Sequence, residues 1–442
     1  MVTVPGLFGA VMLLAFYIAM LLWLFNRTYA IKPIYGIVLF PFLWVGLEYF
    51  RTLTEFSFPW SDIGYTQSYY LMIMQIVSVT SVHGLSLLIV IVNVLLWQIL
   101  RNEVSTERKL TSFLVSTAIV VGLVSYGWIV IPKYPVPGKT DVVLLQGSVP
   151  IEVKWAKGNE WHSFHLYDSL AQSVSDSTEK LYIWPETSAP TYLSHNAEYQ
   201  KVVGQIALQT NGYHLVGALG ASFKNGKQRY FNSVYQFNPQ GRLEQRADKV
   251  KLVPYSEHVP YQDYFPFLQK DFVEKYLTFI KTYNVQWWSD FYPGDSLKLF
   301  KTPEYSYAVL ICFESTFPEF SREAIQKGAS FLVGITNDTW FGSSVGIHMH
   351  SRIFLTRAIE NRSWGVRVAN SGLTYVVDGY GRIRDKLELF DVKALQSKVN
   401  LLDEKSFFTK HGDVIGYISW LITLILCGIL FLQWILRKIL KK

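Results

Sequence analysis

The sequence has few of the residues on which several protein classes depend. Its 442 residues contain two cysteines, which excludes a disulfide framework. Nine scattered histidines show no metal-ligand spacing, so neither a metal nor another cofactor is predicted. No heptad or short repeat occurs, which excludes coiled coil and collagen. Charged residues make up 17%, against about 25% in an average soluble protein, so an ordinary soluble chain is also disfavoured.

Apolar sequence is abundant instead, and it is concentrated at the two ends of the chain. A helix needs about 20 apolar residues to cross a bilayer. Five runs meet or approach that length, four before a polar middle region and one after it: Pro5–Phe25, Ile34–Phe50, Val82–Leu100, Leu110–Ile131 and Val414–Leu436. The first run could instead be a secretory signal, but it is too long and lacks basic residues ahead of it. We therefore predict a membrane arm over 1–131 and a final helix with a basic tail over 414–442.

The positive charges indicate the orientation of these helices, because lysine and arginine favour the cytoplasmic side. Three segments that alternate correctly between the predicted spans carry nine positive and two negative charges, a net of +7: Arg27, Lys32, Arg101, Glu103, Glu107, Arg108, Lys109, Arg437, Lys438, Lys441 and Lys442. This equals the net charge of the whole chain. The basic character thus reflects membrane topology, and nucleic-acid binding loses its main support. The middle region is then extracytoplasmic.

The loop between the second and third spans lies on the same outer face. Residues 52–81 are predicted to include a short interfacial helix anchored by Trp60 and Tyr65. Glu48 and Arg51 stand near the end of a span, where charge is costly without a purpose. A substrate contact and a simple ion pair at headgroup level explain these two residues equally well.

Residues 132–413 alternate between strand and helix patterns, which is typical of an α/β layered domain. Potentially reactive residues follow apolar strands. Glu186 follows Leu181–Trp184, Cys312 follows Tyr305–Ile311, and Asn337 follows Ser330–Ile335. Side chains that follow the carboxyl ends of the strands in a sheet line one crevice. A cysteine nucleophile needs a base and a positive group, and Glu186 and Lys249 supply both, although each residue alone would more simply be structural.

Six ordered motifs carry a resemblance to a known family. The chain contains Trp-Pro-Glu at 184–186, Lys249 followed by Leu-Val-Pro-Tyr-Ser-Glu at 252–257, Ile-Cys-Phe-Glu at 311–314, Asn-Asp-Thr-Trp-Phe-Gly at 337–342, Gln-Gly at 146–147 with Lys-Trp at 154–155, and Asn-Ser-Gly at 370–372. Together they resemble the nitrilase, or carbon–nitrogen hydrolase, superfamily. With the flanking spans they resemble its membrane-embedded branch, the apolipoprotein N-acyltransferase family.

The resemblance implies a nitrilase-like αββα sandwich inserted between transmembrane helices, and a Glu-Lys-Cys triad. It assigns Glu186 as base, Lys249 as electrostatic stabiliser and Cys312 as nucleophile. The remaining implied site residues are two supporting glutamates, a backbone oxyanion donor and two tryptophans near the acyl site: Glu257, Glu314, Phe313, Trp155 and Trp340. Phe313 stands where tyrosine is common, and Ser256 where glycine is usual. The family usually has more spans before the domain than the four visible here, so we expect either that the first spans are missing from this sequence or that its start codon is internal.

The implied activity transfers a fatty acyl chain from a membrane phospholipid, with phosphatidylethanolamine as the expected donor, to a diacylated apolipoprotein. The acceptor is the α-amine of its diacylglyceryl-cysteine, and a Cys312 thioester is the intermediate. The expected location is the bacterial inner membrane, with a periplasmic catalytic domain, as a monomer. An aromatic insertion over 261–292 is either packed core or a lid whose Trp287 and Trp288 contact substrate. The alternative function is a membrane-anchored amidase or nitrilase; a decayed scaffold is disfavoured because the triad is complete.

Overall fold

The computed structural model describes residues 3–156, 158–224, 226–268 and 291–439. These residues form two compact units. The first comprises the described residues within Met1–Val130, Pro254–Trp288 and His411–Lys442, and the second comprises those within Ile131–Val253 and Ser289–Lys410.

The first unit contains the apolar helices. Within the described ranges, five helices are long and apolar enough to cross a membrane, which confirms the predicted runs: Thr3–Ile31, Pro33–Leu53, Val77–Leu100, Thr106–Val130 and Val414–Ile439. The core between three of them includes Leu21, Leu24, Leu43 and Leu47. Gly46 permits the close packing, because a Cβ there would lie 2.6 Å from the carbonyl oxygen of Ser419.

The loop at 52–81 folds as short turns. It contains two 3₁₀ turns, Pro59–Ser61 and Ile63–Gln67, and one turn of α-helix at Leu71–Met74. Proline at the start of the first turn and the close approach of Gly64 to Val82 favour turns over one continuous helix. The polar groups at the span end are paired within the unit. Arg51 lies 2.6 Å from Asp62, and Glu48 accepts a hydrogen bond from the Ile63 backbone N–H at 2.8 Å.

Residues 254–268 also belong to this first unit, although the sequence places them within 132–413. The rings of Tyr255 and Tyr261 lie against Phe56, and the Glu55 carboxylate accepts a hydrogen bond from the Tyr261 backbone N–H. A 3₁₀ turn spans Pro266–Leu268. Most of the predicted lid, with Trp287 and Trp288, lies outside the described residues.

The second unit contains two β-sheets. In the described part of the chain the first sheet has seven strands: β1 Thr140–Gln146, β2 Leu181–Ile183, β3 Ala189–Tyr192, β4 Tyr213–Lys224, β5 Lys227–Phe237, β6 Leu243–Asp248 and β13 Lys393–Val399. Their order is β13-β1-β2-β4-β5-β6, with β3 paired to β4. Strands β1, β2 and β4 run parallel, and a hairpin turn at 238–241 joins β5 to β6.

The second sheet, counted over the same residues, has six strands: β7 Leu299–Lys301, β8 Ser306–Ile311, β9 Phe331–Thr336, β10 Gly365–Ala369, β11 Thr374–Val377 and β12 Ile383–Leu387. They lie in the order β12-β11-β10-β9-β8-β7. Strands β8, β9 and β10 are parallel, and Ile311 of β8 pairs with Ile335 of β9.

The two sheets face each other across one apolar core, which contains Leu144 and Ile183 from the first sheet and Val309 and Val333 from the second. Helices cover both outer faces. The helices and 3₁₀ turns of this unit are Ile151–Lys154, Glu160–Gln172, Leu193–His195, Ala197–Gln209, Cys312–Thr316, Pro318–Gln326, Asp338–Phe341 and Val345–Asn361. A further short helix, Phe407–His411, precedes the final apolar helix Val414–Ile439. This arrangement confirms the predicted αββα sandwich.

Candidate active site

Strand direction brings the predicted triad segments to the same ends of the sheets. Glu186 follows β2, and Lys249 follows β6. Strand β6 is antiparallel to β5, which is antiparallel to β4, so β6 and β4 point the same way. Cys312 and Asn337 follow the adjacent parallel strands β8 and β9. Groups at the carboxyl ends of parallel strands share one edge of a sheet, so topology gathers Glu186 with Lys249 at the edge of the first sheet and Cys312 with Asn337 at the edge of the second.

The Glu186 carboxylate is buried and held from three directions. Its Oε1 atom accepts a hydrogen bond from Asn232 Nδ2 at 2.7 Å and lies 3.4 Å from Lys249 Nζ. Its Oε2 atom accepts from the Asn337 backbone N–H at 2.8 Å. These contacts join loops after β2, β6 and β9. A buried carboxylate with a charged partner and a fixed orientation suits proton transfer.

Lys249 is fixed by the backbone around it and by its proximity to Glu314. The Lys249 side chain is 1% exposed. Glu314 Oε1 accepts from the backbone N–H groups of Val250 and Lys251 at 2.6 and 3.2 Å, and Oε2 accepts from Ile311 at 2.8 Å. Burial raises the pKa of Glu314 to about 7, although these donors and the Lys249 charge act in the opposite direction. Glu314 thus ties the lysine segment to the cysteine segment.

Cys312 occupies a strained turn immediately after β8. Its φ is +51°, a left-handed conformation that costs a non-glycine residue about 1–2 kcal/mol. The 3₁₀ turn Cys312–Thr316 begins here, and the thiol-bearing residue remains partly exposed. Its carbonyl oxygen accepts a hydrogen bond from Ser315 Oγ at 2.7 Å and lies 3.2 Å from His350 Nε2. A sharp turn of this kind presents a side chain beyond the end of the sheet.

A buried charge network supports that turn. Asp338 lies 2.8 Å from Arg367 and 2.9 Å from His350 Nδ1, and all three residues are nearly fully buried. Burial raises the pKa of Asp338, but the Arg367 guanidinium and His350 outweigh this effect and hold it well below its usual range. Because His350 also contacts the Cys312 carbonyl oxygen, the network connects β10 to the cysteine turn.

The motif Asn-Ser-Gly at 370–372 holds two neighbouring loops together. Asn370 Nδ2 donates to the Val149 carbonyl oxygen at 2.8 Å and to Thr339 Oγ1 at 2.9 Å. Trp155 and Trp340 belong to these two loop regions and are 45% and 70% exposed. Both tryptophans are therefore accessible to a ligand.

Two further predicted site residues are Phe313 and Glu257. The Phe313 side chain is buried, with its ring packed edge-on against Phe317 at 5.1 Å. Glu257 is largely buried in the first unit, whereas the triad residues belong to the second. The structure therefore brings together the segments of Glu186, Lys249, Cys312 and Glu314. In the described ranges, no group of three or more histidine, cysteine or acidic side chains could hold a metal ion.

Sequence reasoning missed Asn232, His350 and Arg367. One signal was available for Arg367, which interrupts the otherwise apolar strand β10 and so requires a buried carboxylate partner. Asn232 and His350 gave no such signal, because single polar residues within a strand or a helix have many uses.

Two family profiles match the chain. The carbon-nitrogen hydrolase profile matches residues 145–398, and the apolipoprotein N-acyltransferase N-terminal domain profile matches residues 1–95. The first match covers more than half of the chain, which defines the class of the domain as carbon–nitrogen hydrolase.

Curated relatives specify the family. The chain is 33% identical over 410 residues to apolipoprotein N-acyltransferase from Geobacter metallireducens, covering 91% of this chain and 76% of the relative. It is 28% identical over 458 residues to the enzyme of that name from Chlorobaculum tepidum, covering 99% and 82%. The chain belongs to the apolipoprotein N-acyltransferase family. It is thus a multi-pass membrane acyltransferase of lipoprotein N-acylation, with a lipoprotein as acceptor.

Solved structures align with part of the chain at low sequence identity. An amidase of the nitrilase superfamily from Nesterenkonia gives a TM-score of 0.44 at 14% identity, over 64% of this chain and 95% of that one. Nit3 from Saccharomyces cerevisiae gives 0.43 at 17% identity, over 60% and 90%.

Proposed function

We propose that the enzyme transfers a fatty acyl chain from a membrane phospholipid to the α-amine of a diacylglyceryl-cysteine through a thioester on Cys312. The observation that carries this proposal is the buried contact between Glu186 and Lys249, 3.4 Å apart, together with the Glu314 carboxylate that joins the lysine segment to the strained turn of Cys312. A thiol becomes a nucleophile when a base removes its proton, and a fixed carboxylate beside an ammonium can act as that base.

In the first half-reaction, Glu186 accepts the Cys312 thiol proton and the sulfur attacks an ester carbonyl carbon of the phospholipid. Lys249 and the backbone N–H of Phe313 stabilise the negative oxygen of the tetrahedral intermediate. The carbon–oxygen ester bond then breaks, and the lysophospholipid alkoxide takes the proton from Glu186. The acyl chain remains as a thioester, and Glu186 is again a carboxylate.

In the second half-reaction, the lipoprotein α-amine attacks the thioester carbonyl. Glu186 accepts a proton from the attacking nitrogen, the carbon–sulfur bond breaks, and the thiolate of Cys312 recovers that proton. The product is an N-acylated lipoprotein. Glu186 therefore serves as base in both halves because it loses its proton to the leaving group between them.

The proposal includes the surroundings of the reaction. Glu257 and Glu314 support the site, while Trp155 and Trp340, with Trp287 and Trp288, contact the substrates. Phosphatidylethanolamine is the proposed donor, the enzyme acts as a monomer, and the catalytic domain faces the periplasm from the inner membrane. The charge distribution of the spans supports this orientation.

Mass spectrometry of the purified enzyme tests the central step. After incubation with phosphatidylethanolamine, we expect a mass increment of one acyl group on the peptide that contains Cys312. Cys312→Ser should lose the thioester increment and fail to complement lipoprotein N-acylation. Cys427→Ser is the matched control, because Cys427 lies in the helix Val414–Ile439, and it should retain both. N-acylation that survives Cys312→Ser would refute the mechanism.

A membrane-anchored hydrolase with the same triad is the alternative, and its acyl-enzyme would release acid to water. The two functions differ in the lifetime of the thioester without an amine. A thioester that persists in water and is discharged by a diacylglyceryl-cysteine peptide supports the transferase. Rapid hydrolysis in the absence of that peptide supports the alternative.

A further inference from the structure

A second buried lysine lies close to Glu186. Lys154 ends the short helix Ile151–Lys154 and is 2% exposed. Its Nζ donates a hydrogen bond to Thr187 Oγ1 at 3.4 Å. One long hydrogen bond to a neutral hydroxyl does not compensate for the burial of an ammonium, which needs an opposite charge nearby. That opposite charge is Glu186, the residue before Thr187, which attracts Lys154.

The backbone fixes the position of Thr187. Its φ is +49°, and Ser188 Oγ donates to the Gly217 carbonyl oxygen at 3.2 Å. Gly217 lies so close to this turn that a Cβ there would be 2.3 Å from the Pro185 carbonyl oxygen. The hydrogen bond to Thr187 therefore holds the Lys154 ammonium at the turn that carries Glu186.

Lys154 enters the site from a different segment than Lys249. The charged groups that face one another here are Glu186 after β2, Lys249 after β6, Glu314 after β8 and Lys154 after β1. Burial lowers the pKa of Lys154 to about 8, and the attraction of Glu186 acts against that decrease. The ammonium form therefore predominates at neutral pH.

We propose that Lys154 is a positioning residue for Glu186, whose buried ammonium keeps that carboxylate ionised and correctly placed to accept the Cys312 proton. Lys249 has a second task in the proposed mechanism, since it also faces the oxyanion. A separate ammonium at Glu186 allows the base to stay ionised while Lys249 turns to the oxyanion. This inference rests on the proposed role of Glu186 as base.

The test measures the rate of acyl-enzyme formation on Cys312 in single turnover with phosphatidylethanolamine vesicles, from pH 4 to 9. Lys154→Met should move the acidic limb of the profile up by about one pH unit, which slows this step about tenfold at pH values below the limb, because an ionised carboxylate loses an adjacent positive charge. Lys154→Arg should keep the limb near that of the wild type. The control is Lys386→Met on exposed strand β12, which should match the wild type.

The outcomes separate this inference from the proposed function. A wild-type enzyme that forms no increment on Cys312 refutes the proposed function itself. The role of Lys154 is refuted if Lys154→Met has the same pH profile of acyl-enzyme formation as the wild type. It is also refuted if the variant is slower but its acidic limb has not moved. Should Lys154→Met fail to fold, the neutral polar variant Lys154→Gln decides by the same limb, which must move for the inference to stand.

Discussion

The Nε2 atom of His350 lies 3.2 Å from the carbonyl oxygen of Cys312, 38 residues earlier in the chain. The other ring nitrogen faces Asp338, which in turn binds Arg367. The strained backbone of Cys312 is therefore held by a polar network that starts in the interior of the second sheet. Strain at a reactive turn persists only when surrounding contacts determine it.

Removal of the charge from Glu186 should reduce catalysis without unfolding the enzyme. Glu186→Gln keeps the side-chain shape and one acceptor oxygen, so it retains the hydrogen bond from either Asn232 or the Asn337 backbone N–H, but it no longer provides a carboxylate base. We expect the rate of acyl-enzyme formation to fall about 10²–10⁴-fold, the usual contribution of general base catalysis. Glu198→Gln, at an exposed helix position, should leave the rate unchanged. A rate near the wild-type value in Glu186→Gln would require another base.

Glu314 should make stability depend on pH. Its pKa rises from about 4.3 in an unfolded chain to about 7 in the fold. The folded state therefore favours the protonated form, so this contribution is complete below pH 4, is lost as pH rises through 7, and is flat above that. Glu314→Gln should remove the dependence, which amounts to about 4 kcal/mol between these limits. Thermal unfolding in detergent at several pH values measures the difference, and parallel curves for the two proteins would contradict the prediction.

Asp338 should contribute to stability with the opposite pH dependence. Its pKa is lowered in the fold, so its contribution is present above about pH 4 and lost as pH falls through the folded value. Asp338→Asn leaves the buried Arg367 without its counter-charge and should cost about 3–5 kcal/mol at neutral pH. Glu319→Gln removes an exposed partner of Arg322 and should cost less than about 1 kcal/mol. Equal unfolding temperatures for the two variants would exclude a special role for the network.

The close approach of Gly217 to the Glu186 turn should make activity sensitive to a single methyl group. A Cβ at Gly217 would lie 2.8 Å from Thr187 N and 2.9 Å from Glu186 Cα. Because backbone cannot move aside as a flexible side chain can, Gly217→Ala should displace Glu186 and lower the acylation rate more than tenfold. Gly122→Ala has no neighbour within 4 Å and should be neutral. A fully active Gly217→Ala would show that the turn tolerates displacement.

The tryptophans should affect substrate binding more than stability. Trp155 and Trp340 are exposed, so replacement by alanine removes little packing within the protein. We expect Trp155→Ala and Trp340→Ala to raise KM for phospholipid severalfold with an unfolding temperature close to that of the wild type. Trp287→Ala and Trp288→Ala should likewise weaken phospholipid turnover. The control is Phe223→Ala, at another exposed aromatic position. If the tryptophan variants turn over phospholipid as fast as this control, the tryptophans have a role outside substrate binding.

Long apolar runs and strongly apolar strands were predictable because their signal is local. Strands β8 and β9 begin within one residue of the apolar runs predicted for them. Strands β3, β7, β12 and β13 were missed because they are short or mostly polar on the exposed side. The loop at 52–81 also differs, since turns there depend on contacts with distant residues.

The sequence alone determined the membrane spans, an α/β layered domain and the order of the motifs, because each depends on local hydrophobicity, residue type and chain order. The αββα arrangement was implied by the family resemblance that those motifs carry. Only the tertiary structure decided which polar groups meet. Asn232 reaches Glu186 across 46 residues, Glu314 binds the backbone beside Lys249 across 64, and Arg367 joins Asp338 across 29. Such contacts form because parallel strands end at one edge and buried polar groups must find partners there.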